Sequence, residues 1–170
     1  MTERWKPSVT VAAIIERDGR YLLVEEHTPE GLRLNNPAGH LDPGESPVAA
    51  CAREAFEETT HRFDPTNLVG IYLSRFERPA RADRPAEDIT YLRFAFAGEL
   101  GDIVPGATLD TGIVRTVWMT PDEIRASTDR HRSPLVWRCV QDHLRGQRFP
   151  LDTIYTDPSV LAHPGAARHG

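Results

Sequence analysis

GHLDPGESPVAACAREAFEETTH, residues Gly39 to His61, joins a turn to a helix and carries four glutamates and one arginine at fixed spacing. Asp42-Pro43-Gly44-Glu45 has proline second and glycine third, the composition of a type II turn. Ser46 can cap a helix that Pro47 begins, because a proline at the first helical position leaves no helical hydrogen bond unmade. The helix is expected to run to about Thr60, with Val48, Cys51, Ala52, Ala55 and Thr59 as a core-facing stripe and Glu54, Glu57 and Glu58 on the other side. Like charges three and four residues apart repel, so this face calls for a neutralising cation. Arg53, four residues before Glu57, supplies one counter-charge, and a divalent metal would supply more. An isolated acidic helix means no more than a solvated face. Glu45, Arg53 and Gly39 set this one apart.

Around this segment, 170 residues suit one domain with a proper core, and 39% hydrophobic content is ordinary for a soluble protein. Residues 1–158 are read as a single domain and 159–170 as a poorly ordered tail, short of large apolar side chains. A net charge of −5 argues against nucleic acid or an acidic membrane as partner. The N-terminal MTERWKPSVT lacks a signal-peptide apolar run, and no apolar stretch approaches the roughly 20 residues a bilayer requires, so the expected location is the cytoplasm. Cys51 and Cys139 have no zinc-type spacing around them and are expected to be reduced thiols.

Val9 to Ile15 and Tyr21 to Glu25 read as adjacent strands across an Asp18-Gly19 hairpin turn. Leu68 to Phe76, Ile89 to Gly98 and Ile113 to Met119 read as further strands, with a proline- and arginine-rich break at Arg78 to Pro85 and a loop from Gly101 to Gly112. Thr120-Pro121-Asp122-Glu123 is a capping box opening a short helix. Ser133-Pro134 opens another, which Gly146 is placed to end. The class is α/β, with a mixed sheet packed between helices.

Gly39, five residues, Glu45, seven residues, Arg53-Glu54, two residues, Glu57-Glu58 resembles the Nudix box, the motif of enzymes that hydrolyse a nucleoside diphosphate linked to another group. Matches from residue 6 to residue 152, including NNPAGHLDPGES, YLRFAFAGEL and GQRFPLD, are similar to the small bacterial phosphatases of that family. The resemblance implies the Nudix fold, an α/β/α sandwich. It implies hydrolysis of nucleoside tri- and diphosphates, or of hydroxymethylpyrimidine and thiamine diphosphates, with release of orthophosphate. Ala55, Thr60 and His61 depart from the motif, and Thr60, standing where the family has glycine, puts a left-handed helix exit in doubt.

Carboxylate ligands select a hard cation, Mg²⁺ by default with Mn²⁺ possible. Carried over by position, the resemblance makes Glu54, Glu57, Glu58 and the Gly39 carbonyl the metal ligands. Glu57 is also the candidate base, Arg53 the residue that orients the carboxylates, and Glu45 a helper from the turn. Glu87, Asp88, Glu99 and Asp110 are candidates for a remote acid or base, with Asp110 in the position relatives favour. Arg93, His40 and Asn36 are the candidate substrate contacts for a small-molecule diphosphate or nucleotide, and Trp5, Tyr72 and Phe94 are candidates for an apolar wall. The chain is expected to act as a monomer or homodimer. Two other readings stay open: a non-catalytic nucleotide-binding or regulatory Nudix module, and an isoprenoid diphosphate isomerase using a cysteine.

Overall fold

The computed structural model describes residues 4–165. One sheet runs in the order β5 (Ala38–His40), β1 (Ser8–Ile14), β7 (Glu87–Ile103), β6 (His61–Arg78). It is mixed, with β1 parallel to β7 and the other pairs antiparallel. A second, antiparallel sheet holds β2 (Glu16–Arg17), β3 (Arg20–Thr28) and β4 (Gly31–Asn35), and β8 (Ile113–Met119) pairs with β3. Val11, Ala13 and Phe96 turn towards helix α1 (Pro47–Thr59), whose Ala50, Cys51 and Ala55 complete that core. Ala12, Ile14 and Ala95 turn the other way, onto Ile124 of α2 (Pro121–Ala126) and Val136 and Cys139 of α3 (Leu135–Leu144). Alternation along each strand thus feeds two cores, and the result is the expected mixed sheet between helices.

The Asp18-Gly19 turn forms with positive φ at both residues, 52° and 75°, as a two-residue hairpin requires. It joins Glu16 and Arg17, not the main strand, to Tyr21 and Arg20. The expectation that the first two strands pair is corrected here: the chain leaves one sheet at Ile14 and enters the other at Glu16, because β1 is already flanked by β5 and β7. The strands read as Leu68–Phe76 and Ile89–Gly98 extend to His61–Arg78 and Glu87–Ile103, and the latter takes in the start of the expected Gly101–Gly112 loop. Pro65 is tolerated because β6 is an edge strand whose register shifts between Pro65 and Asn67. In the expected tail, Pro158–Leu161 form a short helix α4 capped by Asp157, while 166–170 lie outside the described residues. Among the described residues no helix is long and apolar enough to cross a membrane.

Helix α1 ends one residue earlier than expected and keeps the left-handed exit, with Thr60 at φ 61°. Strand pairing holds it there: the Thr60 carbonyl accepts from Val104 N–H at 2.9 Å, and His61 starts β6 opposite Ile103. A β-branched residue in this region costs on the order of 1–2 kcal/mol. Thr60→Gly is therefore expected to raise the melting temperature by a few degrees without changing turnover, and a lower melting temperature would show that Thr60 is unstrained.

His143 of α3 sits edge-on to Tyr21, Nδ1 2.6 Å from the hydroxyl. Burial, reinforced by Arg148, holds its pKa down at about 4. The unfolded chain binds a proton near 6.5 that the folded chain refuses until about 4, so this site's contribution is present above pH 6.5 and is lost as pH falls towards 4. Urea unfolding at pH 5 and 7 should show a larger acid loss in the parent protein than in His143→Gln.

Candidate active site

The turn before α1 forms as read, with Gly44 at φ 89° and Ser46 Oγ accepting from Ala49 N–H at 3.1 Å. Glu45 sits behind that turn, accepting from Asp42 N–H at 2.8 Å. Arg53 also meets it, donating from Nε and Nη2 to the two Glu45 oxygens at 3.0 and 2.7 Å. The same guanidinium reaches Glu54 at 2.8 Å, Glu57 at 3.0 Å and the His40 carbonyl at 3.0 Å. Arginine suits this place because its planar fork carries five donors and here meets acceptors on every side.

Glu58 corrects the sequence reading. It stands seven residues after Cys51, two turns of helix, so the two side chains share a face to within about 20°. Accordingly Glu58 is only 7% exposed and turned inward, while Val48 and Ala52 of the expected stripe are half-buried. Its carboxylate accepts from the Ala38 N–H of β5 at 2.9 Å. Burial pushes its pKa up to about 8, against that hydrogen bond, and the neighbouring acids Glu26, Glu54 and Asp110 push in the same direction as burial. Burial also raises Glu54, although Arg53 opposes it.

Gly39 lies against Glu54. A Cβ built there would fall 2.1 Å from the Glu54 carboxyl carbon, so any other residue would displace that side chain. Asp110, from the loop before β8, is tied to the helix end by its N–H on the Glu57 carbonyl at 2.8 Å. The other remote candidates are engaged elsewhere: Glu87 with Arg78, Asp88 with Arg75, and Glu99 opposite Asp64 in the sheet. Glu26, on β3, was missed. Its signal was a second acid in YLLVEEHT, on the strand face that carries the buried Leu22 and Val24, and only the approach of the second sheet brings it near Glu58.

Ala38, Gly39 and Glu26 open onto a cavity of about 700 Å³ between the sheets. Arg93 and His40 line it, His40 with its ring 6.3 Å from that of Tyr91. Asn36 is 1% exposed and stands behind Arg93, accepting from its NH1 at 3.5 Å, so it touches the arginine and not the cavity. The aromatic wall also differs: Phe76 and Tyr91 line the space, whereas Tyr72 and Phe94 pack into the cores and Trp5 is exposed. The sequence could not rank these rings, since strand register decides which face each one takes.

The donors around α1 are all oxygens, and Glu54 and Glu58 are acids whose ionisation burial opposes, with Arg53 paired to Glu54, a set that fits a hard divalent ion. Among the described residues no three acid, histidine or cysteine side chains already converge on one point. One nitrogen of Arg53, Nη1, bonds both Glu54 and Glu57.

A model of the NUDIX domain matches residues 4–138. The chain belongs to the Nudix family. Within it, Phosphatase NudJ of Escherichia coli K12 is 36% identical over 150 residues, covering 88% of this chain and 92% of the relative. A solved Nudix hydrolase from Nitrosomonas europaea is 49% identical with a TM-score of 0.77, covering 89% of this chain and 98% of that one. A UDP-X diphosphatase structure shares the fold at 18% identity, with a TM-score of 0.62 over 88% of this chain and 68% of its own. The protein is thus a Nudix hydrolase and a NudJ-like phosphatase, an enzyme acting on phosphorus anhydrides. Its Cys51 is fully buried and its thiol is pushed up by burial, which removes the cysteine-dependent isomerase reading.

Proposed function

We propose that this Nudix hydrolase is a Mg²⁺-dependent phosphohydrolase of the cytoplasm, with Mn²⁺ as the alternative metal. It would cleave a phosphoanhydride bond in nucleoside tri- or diphosphates or in thiamine-pathway diphosphates and release orthophosphate. The observation that carries this is the acidic seam of Glu54, Glu57 and Glu58 meeting an arginine-lined cavity at Gly39. Glu54 and Glu58, with the Gly39 carbonyl, would hold the metal, and Glu57 would either join them or take the proton of the attacking water. When bound, the cation neutralises phosphate oxygens and acidifies that water. Arg53 orients Glu54 and Glu57 and, through Glu45, ties them to the turn. Arg93 and His40 would bind the anionic substrate, with Asn36 steadying Arg93. Asp110 is the proposed remote acid, a reading supported by the bond of its backbone N–H to the Glu57 carbonyl near the end of α1.

The test is a panel of nucleoside di- and triphosphates, hydroxymethylpyrimidine diphosphate and thiamine diphosphate, scored separately for orthophosphate and pyrophosphate. Orthophosphate release that stops with EDTA and returns with Mg²⁺ is expected. Pyrophosphate as the product would move the point of attack, and no metal-dependent release from any member would refute the proposal.

A further inference from the structure

Leu22, Val24 and Glu26 share one face of β3, and Leu22 packs there with Cys51 and Ala55 of α1. Both elements then change from apolar to acidic: after Val24 comes Glu26 on β3, and after Ala55 comes Glu58 on the inner face of α1. Ala38 links the two acids, since its N–H bonds Glu58 and it lines the cavity with Glu26 and Gly39. The second sheet is reshaped at this point. Glu25 pairs with Arg115 but Glu26 with Ile113, so β8 carries Val114 as an extra residue, and such a bulge re-aims the side chains beside it. The adjacent acids of β3 are also neutralised unequally. Glu25 is buried and paired with both Arg115 and Arg130. Glu26 accepts from Asn35 Nδ2 at 3.3 Å and stands 3.7 Å from Arg132 Nε, both on Oε1. Its Oε2 accepts no hydrogen bond among the described residues, and the side chain keeps 19% of its surface exposed.

Glu26 is the foremost of the charged neighbours that oppose ionisation of Glu58. Two such carboxylates repel unless positive charge comes between them. Arg53 does not supply it, because among the described residues its contacts are with Asp42, Glu45, Glu54, Glu57 and the His40 carbonyl. We propose that Glu26 is a further carboxylate of the metal centre, supplied by the second sheet, whose free oxygen joins the shell of the cation held by Glu54 and Glu58, as a ligand or as the acceptor of a cation-bound water. This rests on the reading of the α1 acids as the metal site. Metal binding then ties β3 to α1 and so couples the two sheets.

Mn²⁺ binding without substrate tests it, followed through the electron paramagnetic resonance signal of the free ion, in the whole chain and in Glu26→Gln, Glu26→Asp, Glu58→Gln and Glu77→Gln. Glu77 is an exposed acid paired with Arg75, so its loss controls for net charge. Glu26→Gln should weaken Mn²⁺ binding by about 10-fold or more, the effect seen even at outer partners of metal ligands, and Glu26→Asp should fall between it and the parent protein. Glu77→Gln should bind as the parent does. Melting curves separate this from a loosened fold. Glu26→Gln should lose part of the melting-temperature gain that Mg²⁺ gives the parent, whereas a purely structural loss would show in EDTA and leave that gain intact. Parental Mn²⁺ affinity in every folded variant at position 26, or an equal loss in Glu77→Gln, would overturn the inference. If Glu58→Gln loses the metal while the variants of Glu26 keep it, the metal site stands and this inference falls. Mn²⁺ binding that depends on Glu26, in a protein that hydrolyses nothing in the substrate panel, would instead refute the proposed reaction and leave this inference standing.

Discussion

Glu58→Gln is expected to lower kcat by about 100-fold or more, because it removes a carboxylate proposed to hold the metal, where losing even an outer partner of a ligand costs about 10- to 100-fold. The substitution keeps length and leaves an oxygen to accept from Ala38 N–H, so the 2.9 Å bond to β5 can persist. It removes an ionisable group whose charged form the fold disfavours, since burial, Glu26, Glu54 and Asp110 all act against ionisation there. In EDTA the variant should therefore melt no lower than the parent protein, and higher if the relief of repulsion dominates. Stability and activity thus move apart, which a merely structural carboxylate would not allow. Turnover unchanged in a folded Glu58→Gln would take this residue out of the reaction.

Arg53→Ala should fail in both respects. It leaves Glu45, Glu54 and Glu57 beside one another without the guanidinium that now bonds to all three, and Asp42 lies 3.6 Å from the same group. Breaking a well-buried pair costs about 3–5 kcal/mol, and the partial exposure of this cluster screens that to about 2 kcal/mol. Chemical denaturation should show that loss in EDTA, and Mg²⁺ should restore part of it by supplying positive charge to the same carboxylates. Turnover should fall about 100-fold even at saturating Mg²⁺, because the carboxylates lose their common anchor. Arg53→Lys should recover little, as one ammonium cannot make the paired contact with Glu45 along with those to Glu54 and Glu57. Full recovery with lysine would mean that charge alone is needed at this position.

Much of this was legible in local spacing. The turn, the Ser46 cap, the Pro47 start and the pairing of Arg53 with Glu57 follow from residues within a few positions of each other, where backbone chemistry decides. The Thr120 capping box formed for the same reason. Glu58 was also within reach, because its two-turn distance from Cys51 already placed it on the inner face. Its reading as an acid on the face opposite the core stripe followed charge and overlooked angle. What could not be reached was everything set by contacts between distant segments.

The family, the mixed α/β class and the acidic helix with its arginine were therefore determined by the sequence alone, through short-range periodicity and the spacing of charged residues. The tertiary structure decided that Thr60 exits left-handed, that β1 pairs with β5 and β7 and not with its sequence neighbour, and that Glu26 and Asp110 stand near Glu58. It also set Asn36 behind Arg93. The physical reason is register: shifting a strand by one residue turns every side chain to the opposite face, and that choice is made by the packing of two sheets against each other.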